Sequence, residues 1–327
     1  MSIIGNIGGQ SGGGSLTKSV LIIAAPTGST VTVTKGGATK TATEKNGEWW
    51  FKNLENGEWT IRAELDGQNA TEVFNITQFG VYRRSISYRM TPEFTYTGDY
   101  EIVQDDDTPI ADFANWKGNW KIRFLTSGDF TITNMHGFAG GVIDVFLVGA
   151  GGAGGPGTGG QYNNGGRGGG SGYTSTALSV TLDRTTYHIE VGAGGTGDGG
   201  NTTSFGITAN GGKSGATSGD GGSGGGAAGY GDDYYNNNGS KGGTDGKDGE
   251  PTKGNTGNSV GKGQHTTTRE FGDLSGKLYA TGGGGDGTSR NTDGMPNTGN
   301  GGGGPGRVSK PGTPGGSGIV VIRNSRT

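Results

Sequence analysis

The sequence predicts an all-β protein: a small N-terminal β-sandwich, then a second β-sandwich with an inserted polyglycine II-like glycine-rich bundle. Three observations carry this. Short runs of β-branched and aromatic residues recur at even spacing, with turn signals between them. No stretch shows helical periodicity. Glycine supplies 78 of the 327 residues, and 59 of these fall within residues 149–318, where strand-like stubs run into glycine clusters.

Residues 1–18 form a flexible Gly/Ser-rich attachment segment. In the first sandwich, residues 19–90, strands are expected at 20–25, 30–34, 48–52, 59–65 and 71–76. Asn46-Gly47, Asn56-Gly57 and Asp66-Gly67 are hairpin signals, because such pairs accept the positive φ of tight turns. Trp49, Trp50 and Trp59 read as core residues rather than sugar-stacking ones. Residues 91–148 supply further strands at 100–103, 120–125, 130–133 and 142–148, the last apolar enough to be central. The acidic triplet Asp105-Asp106-Asp107 reads as solvated, not as a metal site.

The run from Thr43 to Ala63, with its Gly-Glu-Trp-Trp-Phe and Gly-Glu-Trp-Thr-Ile segments, resembles carboxypeptidase-regulatory-like and collagen-adhesin B-type sandwich modules. The resemblance covers about residues 19–90 and implies an Ig-like spacer.

In residues 149–327, FLVGAGG, IEVGAGG, ITANGG and LYATGGGG each pass from a stub into glycines, and a closing strand returns at 318–323. Ordering so many glycines costs conformational entropy that few side chains are present to offset. Backbone hydrogen bonding between close-packed, three-residue-per-turn segments meets that cost. Collagen is excluded, since spacing by three does not persist and there are only nine prolines.

Several chemistries are set aside. Net charge is −3, which leaves no basic field for nucleic acid or anionic lipid. There is no cysteine, and His136, His188 and His265 match no metal spacing. No membrane-length apolar stretch occurs, and residues 1–15 lack the pattern of a signal peptide. Gly149, Gly151 and Gly154 satisfy G-x-G-x-x-G after an apolar run, but Gly155-Pro156-Gly157 cannot open the helix that holds a pyrophosphate. No nucleophile motif and no distinct carboxylate pair is present, so no enzyme, no catalytic residue, no metal and no cofactor is expected.

Islands of another texture break the glycine pattern: 161–164, 230–238 and 286–297. Tyr162 and Asn163, with Tyr230, Asp232, Asp233, Tyr234, Tyr235, Asn236 and Asn237, have the composition of a recognition surface, large rigid rings beside adaptable polar groups. A β-sandwich from which FLVGAGG, IEVGAGG and GGSGIVVIR glycine runs emerge resembles the glycine-rich domains of bacteriophage tail fibres and tail-tip adhesins. It is also similar to the glycine-rich domain of anaplastic lymphoma kinase. That resemblance implies a virion protein on the phage tail or capsid surface, made in the host cytoplasm. It implies a homo-oligomer attached to other virion proteins through its N-terminal region, with the tyrosine islands on a host cell-surface receptor, a carbohydrate. A capsid decoration or tail structural protein is the alternative, and a polysaccharide-degrading enzyme the third reading.

Overall fold

A computed structural model of the chain describes residues 2–4, 18–65, 68–87, 91–116, 118–135, 137–138, 141–158, 165–229, 240–250, 261–285, 293–306 and 309–326. The chain divides into two units, Met1–Pro92 with Asp112–Lys117, and Glu93–Ala111 with Gly118–Thr327.

The first unit is built from β1 (Ser2–Ile4), β2 (Ser19–Ala24), β3 (Thr30–Lys35), β4 (Ala38–Thr41), β5 (Glu44–Lys45), β6 (Glu48–Leu54), β7 (Gly57–Leu65), β8 (Gln68–Ile76) and β9 (Val81–Ser87). They form two sheets, ordered β1-β9-β2-β6-β5 and β4-β3-β7-β8. Alternation along β6 and β7 sends Trp49, Phe51, Trp59, Ile61 and Ala63 into one shared core with Leu21, Ile23, Val31 and Val33. Asn46 and Gly47 both take positive φ in the β5–β6 turn, as their sequence signals. Trp50 departs from the expectation. It is 42% exposed, and its Nε1 donates to Glu48 Oε2 at 3.0 Å. Neighbouring residues of a strand point to opposite faces, so Trp49 and Trp50 cannot both be core.

The second unit has β10 (Glu93–Tyr96), β11 (Tyr100–Val103), β12 (Lys121–Phe124), β13 (Gly128–Asn134), β14 (Val142–Val148), β15 (Thr174–Thr181), β16 (Thr186–Ile189), β17 (Thr202–Ser204), β18 (Ile207–Ala209) and β19 (Ile319–Asn324). Its larger sheet runs β11-β12-β19-β14-β15 and its smaller one β10-β13-β16, with β17 and β18 as a hairpin. Phe124 of the larger sheet meets Phe130 of the smaller at 5.2 Å between ring centroids. The closing strand lies in the middle of its sheet, antiparallel to both β12 and β14. Tyr279 and Ala280, expected in a strand, form none: only Leu278 bridges to Arg269. Instead Tyr279 is fully buried beside Phe146, Val148, Phe271, Ile319 and Val321.

Between β14 and β19 the glycines form a bundle of extended segments. The amides of 149, 152 and 155 donate to the carbonyls of 173, 170 and 167. Those of 150 and 153 donate to 200 and 197, and those of 151, 154 and 157 to 316, 313 and 310. Every third residue thus addresses the same neighbour, the signature of a three-residue-per-turn helix satisfied wholly from outside itself. The segment 166–173 repeats it: 166, 169 and 172 donate to 305, 302 and 299, then 168 and 171 to 226 and 223, and 170 and 173 to 213 and 210. Packing is close enough that a Cβ on Gly151 would lie 1.9 Å from the Asn300 oxygen, and one on Gly242 1.6 Å from the Gly282 oxygen. Where a side chain does occur inside, it is small. Ala150 and Ser171 are fully buried, and Ser171 Oγ accepts from the Ser223 amide at 2.7 Å.

Candidate functional site

Glycine segments run both away from the sheet and toward it, so each has one end there. Gly149 follows β14, Tyr173 precedes β15, Asn210 follows β18 and Gly318 precedes β19, so these residues mark the sheet end. The other end follows from the pairing. There the Gly157 amide donates to Lys310, Gly166 to Pro305, Gly168 to Gly226, Gly226 to Gly283, Gly285 to Ser240 and Gly304 to Gly284. These residues are the stems of what was singled out as recognition-like. Tyr162 and Asn163 fall between Gly157 and Gly166; Tyr230, Asp232, Asp233, Tyr234, Tyr235, Asn236 and Asn237 fall between Gly226 and Ser240. All nine lie outside the described residues, and their stems converge at the end of the bundle remote from the sheet. A third inserted stretch, 251–260, has stems at the same level: Glu250 donates to Lys241 and Gly261 to Gly225.

At the sheet end, charge is concentrated in a cluster that sequence reading missed. Residues on one face of β12 and β19 are cationic: Lys121, Arg123 and Arg323. A one-turn helix at Glu270–Gly272 covers them. Lys121 Nζ donates to Glu270 Oε2 and to Asp107 Oδ1, each at 2.7 Å. Arg123 reaches Asp107, Glu101 at 3.2 Å and Glu270 at 3.3 Å. Arg323 Nε donates to Asp144 Oδ2 at 2.9 Å, and its guanidinium stacks 4.1 Å from the Phe271 ring centroid. Burial pushes the Asp107 carboxyl up, but the Lys121 hydrogen bond and the Arg123 and Lys121 charges outweigh it and leave it below the ordinary carboxylate range. Burial and the Glu270 charge push the Tyr279 hydroxyl well up, so it stays protonated and donates to Glu270 Oε1 at 3.2 Å. Alternation of charge with Ile122 and Phe124 along β12 was the available signal. It lacked meaning until the partner, 149 residues away in sequence, was placed.

Each of these cations faces carboxylates, and the pairs to Glu270 and Asp273 tie the 265–280 segment to the sheet. The acidic triplet is paired as well: Asp105 accepts from Arg326 at 2.5 Å and Asp107 from Lys121, so two of its three members are ion-paired rather than only solvated. Among the described residues no group of three or more His, Asp or Glu side chains is placed to hold a metal ion. The G-x-G-x-x-G run opens no helix; its amides at 149, 151, 152 and 154 are spent on neighbouring segments, leaving none of these to cradle a phosphate.

Taken together, the geometry defines an all-β domain whose strands anchor a hydrogen-bonded polyglycine bundle with inserted stretches at its far end. Residues 126–325 match the family model described as a glycine-rich domain, and the chain belongs to that family. Comparison with curated proteins gives no match. Comparison with solved structures gives none either.

Proposed function

We propose that this chain is a non-enzymatic bacteriophage virion protein, a tail-fibre or baseplate adhesin that binds a host cell-surface glycan through the far end of its glycine bundle. One observation carries the reading: stretches 158–165 and 227–239, distant in sequence and alike in Tyr/Asn content, spring from stems at the same end of one bundle. A lattice held by backbone hydrogen bonds is a rigid platform, and rigid platforms bearing variable insertions are how binding residues are commonly displayed. The N-terminal sandwich then spaces and attaches the molecule to other virion proteins, and oligomerisation multiplies weak contacts into avidity.

The test is binding of fluorescent full-length protein to a panel of bacterial strains, beside a variant with residues 230–238 replaced by glycine and serine. The expected result is strain-selective binding that the replacement reduces at least tenfold. Binding unaffected by the replacement removes the island from the receptor site. Absence of binding to every strain, with retention on purified capsids or tails, makes the chain a decoration or tail structural protein.

A further inference from the structure

A cleft of about 590 Å³ opens between β15, β16 and the β17–β18 hairpin, within the ~300–1,000 Å³ usual for small-ligand sites. Its aromatic wall is Phe205, whose ring packs on Tyr187 with centroids 4.7 Å apart. Phe205 and Gly206 form the whole two-residue loop, with φ of 51° and 75°. Such a loop favours Asn-Gly, and a bulky residue in its first position is held against its backbone preference. What the hairpin gains is a large ring at the lip of the cleft.

Polar groups surround that ring. His188 Nδ1 lies 2.8 Å from Asp129 Oδ1, so Nδ1 carries a hydrogen and donates it to the carboxylate, while Nε2 is the ring's second hydrogen-bonding atom. Asp183 and Arg184 stand 3.6 Å apart, giving acceptor and donor with no net charge. Thr203 adds a hydroxyl, which donates to Glu190 at 3.1 Å and has acceptor capacity left. An aromatic wall beside donors and acceptors, with the Asp129, Asp183 and Glu190 carboxylates outnumbering the Arg184 guanidinium, disfavours an acidic glycan and complements a neutral sugar ring, whose apolar face stacks and whose hydroxyls both give and take hydrogen bonds.

We propose that this cleft binds a neutral saccharide, one or two rings in extent, with Phe205 stacking on it and His188, Asp183 and Arg184 fixing its hydroxyls. This rests on the reading that the chain engages a glycan, and adds a second point of contact remote from the bundle tip. The experiment applies full-length fluorescent protein to an array of neutral and acidic glycans, followed by calorimetry with the best-retained glycan. Phe205→Asn keeps the turn, because asparagine accepts positive φ, while removing the ring. The expected result is retention of neutral glycans, weakened at least tenfold by Phe205→Asn and by His188→Ala with unchanged circular dichroism. Affinity unchanged within twofold in Phe205→Asn overturns the proposal, as does retention of no neutral glycan. The two readings fail separately: cell binding that survives Phe205→Asn but not replacement of 230–238 discards the cleft and keeps the adhesin. Loss of cell binding in neither variant discards both.

Discussion

Replacing Gly168 by alanine tests the bundle most directly. The added Cβ would sit 1.9 Å from the Gly283 oxygen and 2.4 Å from its carbonyl carbon. Real contacts begin near 3.0 Å, so moving from 1.9 to 3.0 Å requires a retreat of about 1.1 Å. Both partners are backbone within a lattice. Gly283 donates to Gly169 at 2.8 Å, and Gly168 donates to Gly226 at 2.9 Å. An ångström of displacement takes both bonds past the ~3.2 Å limit of good geometry. Two buried groups losing their partners cost about 2–6 kcal/mol. The reduced freedom of the unfolded chain returns only about 0.4–1 kcal/mol. A net loss of about 3 kcal/mol lowers the melting temperature of a unit this size by roughly 6–12 °C. Gly197 is the control, since a Cβ there meets nothing within 4 Å; Gly197→Ala is expected to be neutral or stabilising by up to ~1 kcal/mol. Calorimetry gives the melts, and hydrogen exchange of peptides spanning 166–173 shows whether protection falls where the lattice was disturbed. Equal melting of the two variants would refute the close-packed bundle.

Three further perturbations address the sheet. Lys121→Met leaves Glu270 buried with one cation fewer and is expected to cost about 3–5 kcal/mol in chemical denaturation. A combined Lys121→Met/Glu270→Gln variant recovers much of this if the pair, rather than packing, is responsible. Asp107 has a folded-state carboxyl below its unfolded value, so its contribution is present above the ordinary carboxylate range of about 4 and is lost as pH falls through the lower folded value. Denaturation followed from pH 5 to 2 is expected to show a shallower acid loss in Asp107→Asn than in the parent, and parallel curves would contradict the pairing. Phe146→Ala empties a fully buried site against Phe271 and Tyr279 and is expected to cost about 3–5 kcal/mol by the same assay.

What sequence made legible was local. The run Val-Ile-Asp-Val-Phe-Leu-Val at 142–148 became β14 with those bounds, because six apolar residues around a single aspartate, ending at glycine, leave little choice. Gly57–Leu65 alternates its burial residue by residue for the same reason. What could not be read were elements whose reason is distant. β15 is polar, TSTALSVT, because it is an edge strand with no buried position along it. It also carries the bulge that sets Ser179 at φ 54°, where its amide donates to Asp144. Tyr279 looked like a strand residue because its neighbours are apolar, yet it plugs the sheet face from a segment that forms no strand. The tyrosine islands were chosen by composition. The common end of the bundle at which their flanking stems meet could be read only once each stem had a partner.

Glycine, having no side chain, cannot encode which glycine it meets, so the bundle takes its neighbours from the sheet. Val148 pairs with Thr174 and with Ile319 in the ladder, and immediately beyond it Gly149 donates to Tyr173 and Gly151 to Gly316. Strand register thereby becomes bundle register. One consequence separates this account from any in which glycines pack loosely. A single glycine inserted between Val148 and Gly149 advances the segment by one residue, about 3.1 Å of rise and a third of a turn. Ala150 then occupies the place of Gly151, where a Cβ meets the Asn300 oxygen at 1.9 Å. Ala153 likewise takes the place of Gly154, where the Gly303 oxygen lies at 2.0 Å. Inserting three glycines restores every facing and only lengthens the segment by about 9 Å, which its far end can extrude. The one-residue insertion is expected to abolish cooperative melting of the second unit, while the three-residue insertion retains it at a lower temperature. A loosely packed glycine region would rank the two the other way, since the longer insertion then disturbs more.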